Sequence, residues 1–178
     1  MVFSIDTALM AVLFILPAYF ANATPVLLGG GTPIDLRRNF FDGKRLFGDG
    51  KTLRGFAAGI VSGALIAGLE AYLLPGTQFA FLPSPQLILL SGWMLSLGTM
   101  LGDLAGSFIK RRLGMDRGNP SLILDQLFFL FVALAFAYPF AAAVITIESF
   151  IFLVALTYVL HVGTNFAANK LGLKSVPW

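Results

Sequence analysis

The sequence predicts an all-α, polytopic membrane protein. Residues 1–178 form a single transmembrane domain of five helices, with the N-terminus outside and the C-terminus cytoplasmic. Three observations predict this. The chain is 57% hydrophobic and only 12% charged, with a mean hydropathy of +0.85, whereas a soluble domain carries about 25% charged residues. Five segments, roughly 7–28, 53–75, 86–109, 120–143 and 147–169, are apolar over the length of about 20 residues that a bilayer crossing needs. All 12 lysines and arginines fall on one side of that five-span map, which the positive-inside rule makes cytoplasmic.

Each element has its own justification. The first apolar run lacks a basic leader, since Asp6 is its first charge, so it is expected to be a retained span and not a cleaved signal. Near its end, Thr24-Pro25 is expected to open the helix and free backbone carbonyls. The first cytoplasmic loop, about 29–52, holds Gly29-Gly30-Gly31, Asp35, Asp42-Gly43 and Gly48-Asp49-Gly50-Lys51-Thr52. Leu74-Pro75-Gly76 ends the second span and Pro83-Ser84-Pro85 precedes the third. Small residues recur every fourth position at Gly55, Gly59, Gly63 and Ala67, and again at Gly98, Gly102 and Gly106, which predicts faces of close helix contact. The second cytoplasmic loop is about 110–119, with a turn near Gly114, and Pro139 is expected to end or kink the fourth span. On the fifth, His161 and Asn165 are four apart and share a face.

The cations are Arg37, Arg38, Lys44, Arg45, Lys51 and Arg54 around the first loop, Lys110, Arg111, Arg112 and Arg117 around the third, and Lys170 and Lys174 in the tail. Topogenic charge alone accounts for Arg37, Arg38, Lys170 and Lys174. With no cysteine, disulfides and thiolate chemistry are excluded. Nucleic acid is not an expected partner.

Two aspartates carry the chemistry. Asp103 and Asp125 lie eleven residues on either side of Gly114, so an antiparallel hairpin turning there brings both carboxylates to one depth. Asp103 is six residues inside the third span, where an ionised aspartate costs about 2.5–3.5 kcal/mol. It must face the bundle interior and have a partner. A plain structural pairing with Lys110 or Arg111 would satisfy it. Ser107, Lys110 and Arg111 follow Asp103 by four, seven and eight residues and return to its face. Acids that hold a divalent metal beside cations that hold phosphate suit phosphoryl chemistry. Gly50-Lys51-Thr52 is no Walker motif, because Arg45 stands where its first glycine is required. It is a glycine-rich turn opening a helix, whose N-terminus can still bind phosphate. Asn22 lies at a like depth in the first span. An ion- or proton-coupled transporter using the intramembrane acids is the alternative, but the polar residues gather near one face.

Gly102-Asp103-Leu104, Ser107-Phe108-Ile109-Lys110-Arg111 and the later Asp125 resemble the signature of the phosphatidate cytidylyltransferases. The chain departs from the bacterial and eukaryotic pattern. Asp116-Arg117 replaces the usual Lys-Asp, the His-Gly-Gly segment is missing, and Asp125-Gln126 stands where Asp-Arg is usual. Those departures, with Ala21-Asn22-Ala23-Thr24-Pro25-Val26, Gly29-Gly30-Gly31-Thr32-Pro33-Ile34-Asp35, Gly48-Asp49-Gly50-Lys51-Thr52-Leu53-Arg54-Gly55 and Pro177-Trp178, resemble the archaeal branch, the CDP-archaeol synthases. The resemblance implies a Mg2+-dependent reaction of CTP with an isoprenoid ether-lipid phosphate, giving a CDP-activated lipid and pyrophosphate. It implies Asp103, Asp125 and Asp116 as metal residues and Asp103, Asp125, Lys110 and Arg111 as catalytic ones. Lys51, Arg54, Arg112 and Arg117 become candidates for the phosphates, and Asn22 and Pro25 for the cytosine.

Overall fold

A computed structural model describes residues 4–115 and 121–172. Its helices are α1 (Ile5–Leu28), α2 (Leu53–Leu73), α3 (Pro85–Arg112), α4 (Leu122–Gln126), α5 (Phe128–Ala141) and α6 (Ile147–Lys170). Among the described residues there is no strand, only two isolated bridges in the first loop. Helices α1, α2, α3 and α6 are long and apolar enough to cross a membrane, and α5 is a shorter apolar helix.

The ends follow from local chemistry. Ser4, Thr52, Ser84, Ser121 and Thr146 each cap a helix by accepting the backbone N–H three residues on. Helix α3 ends in a Schellman turn: Gly114, at φ +73°, donates its N–H to the Arg111 carbonyl and Met115 donates to that of Lys110. This is the turn expected at Gly114.

Two expectations are corrected. The fourth span, expected as one helix over 120–143, is α4 and α5 separated at Leu127, whose φ of −123° leaves the helical range. No glycine or proline marks the break, so hydropathy does not reveal it. The prolines, conversely, interrupt less than expected. Helix α1 runs through Pro17 and Pro25 to Leu28, and α5 passes Pro139. The Ala21 carbonyl, four residues before Pro25 and so deprived of its helical donor, lies against Gly59 of α2, where a Cβ would come within 2.8 Å. Neighbouring helix surface covers the exposed backbone.

The small-residue stripes pack as expected. On α2, Gly59 lies against Met100 and the Ala21 carbonyl, Gly63 against Ser96 and the Pro17 carbonyl, and Ala67 against Gly92. On α3, Gly98 meets Ala133, Gly102 meets Phe129 and Gly106 meets the Leu124 carbonyl. Helix α3 is therefore the centre of the bundle, with α1 and α2 on one side and α5 on the other. Phe14, Ile15, Ile88, Leu95, Leu130 and Leu153 fill the core between them. Helix α6 is held more loosely, by a 2.7 Å Tyr19–Thr157 hydrogen bond to α1 and by Phe131–Phe150 and Phe129–His161 ring contacts to α5. Glu70 is buried in α2, toward the end away from the first loop.

Gly98→Ala should lower thermal stability in detergent by about 1–3 kcal/mol, because its Cβ would sit 2.8 Å from the Ala133 Cα. Gly68→Ala, which meets nothing within 4 Å, should be neutral or slightly stabilising. Paired melting curves of the two variants check this.

Candidate active site

The first loop is built to place its last residues. Thr32 and Ile34 pair with the Lys51 and Leu53 backbone: Ile34 donates to the Lys51 carbonyl at 2.8 Å and Leu53 to that of Thr32 at 3.0 Å. Between these arms the chain reverses through Leu36 and Arg37, both non-glycine residues at positive φ (48° and 61°), a conformation costing about 1–3 kcal/mol each. Asp35 offsets that strain. Its carboxylate accepts from the Arg37, Phe47 and Gly48 amides and from the Arg45 guanidinium at 2.7–3.2 Å. Burial alone would raise its pKa, but the Arg45 hydrogen bond and the three amides together hold it well below the usual carboxylate range.

A second anchor ties the loop to the end of α3. The Arg112 guanidinium donates to Asp42 at 2.8 Å and to the Arg45 carbonyl at 2.6 Å. It also lies 5.0 and 4.9 Å from the ring centres of Phe40 and Phe108, within cation–π range. Lys44 donates to the Arg112 carbonyl at 3.3 Å, where the helix's partial negative charge favours a cation. Arg54 does the same for α1, donating to the Leu28 and Gly29 carbonyls.

With the loop fixed, Lys51 reaches Asp103. Its ammonium donates to both carboxylate oxygens at 2.6 Å. The pair borders a small cleft lined by Pro25, Gly50, Lys51, Thr52, Gly55, Phe56, Met100, Asp103 and Leu104. The N-terminus of α2 forms one wall, and a helix N-terminus favours anions. Lys110 donates to both oxygens of Asp125 at 2.9 and 2.8 Å, and the Ser121 amide donates to the same carboxylate at 2.9 Å. The pairing expected as the structural alternative, Asp103 with Lys110 or Arg111, does not occur; each acid takes a lysine from a different element.

Asp103 and Asp125 lie at nearly one depth. Gly102 faces Phe129 and Gly106 faces Leu124, so Asp125 is opposite residues 105–106. That offset is about 3–5 Å of helix rise nearer the loop than Asp103. Lys110 is seven residues from Asp103 and shares its face, so the two acid–lysine pairs line one side of α3. Arg111 is half-buried at the same helix end, and its Nε is buried without a hydrogen-bond partner among the described residues. Asn22 is half-buried on α1. Asn22, His161, Asn165 and Asp125 are not in the lining of the cleft, whereas Pro25 is. Asp116 and Arg117 lie outside the described residues, as do Lys174, Pro177 and Trp178.

The donor set fits a hard divalent cation. Among the described residues no three acids or histidines gather as a ready-made cage. Mg2+, however, is usually held by one or two carboxylates with water and substrate phosphates completing the shell. Asp103 presents both oxygens to a single ammonium, the position a cation takes. Sequence reasoning did not find the Asp35–Arg45 and Arg112–Asp42 anchors. All four residues were visible in the sequence, but nothing local pairs them.

Two outcomes test this architecture. Asp35→Asn should expose Arg37, Arg38, Lys44 and Arg45 to trypsin at pH 7, read by mass spectrometry of limited digests. The folded carboxyl titrates below its unfolded value, so its contribution is complete above the ordinary carboxylate range and is lost only as pH falls through the depressed value. Loop protection should hence be flat between about pH 5 and 8. Arg112→Ala should loosen the same loop, and Arg112→Lys should not restore it, since an ammonium lacks the planar fork that serves two acceptors between two rings.

A family model described as CarS-like, CDP-archaeol synthase, matches residues 4–178. A CDP-archaeol synthase of Thermococcus gammatolerans is 50% identical over 98% of this chain and 99% of its own. One from Archaeoglobus fulgidus is 46% identical over 98% and 99%. A solved structure described as an intramembrane enzyme for archaeal membrane lipids biosynthesis matches with a TM-score of 0.75 at 37% identity, covering 87% of this chain and 92% of that one. The chain, a multi-pass membrane protein with an acid–lysine site beside a helix N-terminus, therefore belongs to the CDP-archaeol synthase family of CTP-dependent cytidylyltransferase enzymes.

Proposed function

We propose that the enzyme transfers CMP from CTP to an unsaturated archaeal ether-lipid phosphate, digeranylgeranylglyceryl phosphate, and releases pyrophosphate. The observation that carries this reading is the Lys51–Asp103 pair in the cleft beside the N-terminus of α2. An acid, a cation and a helix N-terminus at one spot suit a metal-bound polyphosphate. On this reading the helices form five spans, with the N-terminus outside and the site on the cytoplasmic face. The support is the asymmetry of the 12 cations, which the five-span map assigns to one side.

A lipid phosphate oxygen attacks the α-phosphorus of CTP, and the bond from that phosphorus to the bridging oxygen breaks. The electron pair leaves with pyrophosphate. The attacking oxygen is already ionised, so no residue has to remove a proton. What the protein supplies is position and charge. Asp103 and Asp125, with Asp116, would hold Mg2+, which when bound would neutralise phosphate oxygens. Lys51, Lys110 and Arg111 bind triphosphate or lipid phosphate, and Arg117 adds positive charge. Pro25 lines the cleft and, with Asn22, borders the cytosine. Arg54 and Arg112 were candidates for phosphate, and their bonds to helix and loop carbonyls favour a supporting role.

Pyrophosphate release by purified protein should require CTP, Mg2+ and the lipid phosphate together, and chelation of the metal should stop it. Asp103→Asn and Asp125→Asn should each cut turnover by about a hundredfold or more with the melting temperature retained. Near-normal turnover in both variants would overturn the metal assignment.

A further inference from the structure

Resting on the reading just given, we propose that Lys51 is the resident counter-ion of Asp103 and is exchanged on binding, so that divalent cation and nucleotide must bind interdependently. The ammonium sits 2.6 Å from both carboxylate oxygens. A cation seated between those oxygens occupies the same space and carries the same sign of charge, so the two cannot share the carboxylate. The metal enters only as Lys51 leaves.

The lysine has somewhere to go. Its backbone is pinned by the pairing with Ile34 and by the Thr52 cap that follows, so the loop stays docked and only the side chain swings. Its side chain is 28% exposed and borders the cleft. Phosphates at the α2 N-terminus would lie within that swing and offer the ammonium a replacement anion. Without nucleotide, displacing Lys51 strands its charge beside the incoming metal. With nucleotide, both cations are satisfied. Each ligand therefore removes the other's penalty, and linkage makes the effect reciprocal.

The second pair differs. The Lys110 side chain is only 9% exposed, and Asp125 is also held by the Ser121 amide. Lys110 is the more enclosed of the two lysines, so Lys51 is the one whose exchange is proposed to couple the two ligands and the one the test isolates.

The test measures binding of Mn2+ to the full-length protein in detergent, by electron paramagnetic resonance, without lipid and without turnover. Wild type should bind Mn2+ alone weakly and at least about tenfold more tightly with CTP present. Lys51→Met should bind Mn2+ alone about tenfold more tightly than wild type, gain little further from CTP, and bind CTP itself more weakly. Adding Asp103→Asn to that variant should remove the gained affinity, which assigns it to this carboxylate. Lys51→Gln, which keeps the length and a hydrogen-bond donor, serves if the methionine variant melts early. Folded Lys51 variants that bind Mn2+ alone no better than wild type would overturn the exchange, leaving the cytidylyltransferase reading intact. Failure of that reading registers separately, as wild type that neither binds CTP nor releases pyrophosphate.

Discussion

An aspartate within a lipid-spanning helix has to be neutralised, and the rest of the structure follows from how Asp103 meets that demand. Its counter-ion comes from Lys51, 52 residues away along the chain. For the ammonium to arrive, the first loop must fold back over the end of α3 and stay there. The Asp35 network fixes the loop's internal reversal, and Arg112 between Phe40 and Phe108 fixes the loop to the helix. Positive φ at Leu36 and Arg37 is the conformational cost of that path.

The helices beneath are arranged so that the charged end has a rigid base. Glycine stripes on α2 and α3 let backbones approach closely enough that a Cβ would clash, and close packing is what associates helices where lipid already satisfies apolar side chains. Because Gly102 is part of the α3–α5 contact, the residue next to it, Asp103, is held at a fixed depth. Helix α6 lies outside this tight set; Leu153 joins the core, and a hydroxyl pair and ring contacts tie it to α1 and α5.

Cations near the site fall into two groups by their partners. Arg54, Arg112 and Arg45 spend their donors on backbone carbonyls or loop acids and hold the architecture. Lys51 and Lys110 pair with Asp103 and Asp125, the positions that the proposed reading gives to metal and phosphate chemistry. Geometry suits each type to its task. The planar guanidinium fork satisfies several fixed acceptors at once, while a flexible ammonium exchanges partners readily.

Much of this was legible in the sequence because it depends on local pattern. Hydropathy over about 20 residues marks a span, a fourfold spacing of small residues marks a contact face, and an acid in apolar sequence declares itself by its desolvation cost. The turn at Gly114 and the nearly matched depth of Asp103 and Asp125 followed from counting along helices. The break at Leu127 carried no proline or glycine, and the prolines at 17, 25 and 139 were absorbed by helices that continued through them. Partner choice was also beyond the sequence. Lys110 stands two turns from Asp103 on its own helix, yet it pairs with Asp125, while Asp103 takes Lys51. An ion pair is decided by where a loop is anchored in three dimensions, and that anchoring rests on contacts between residues far apart in the chain.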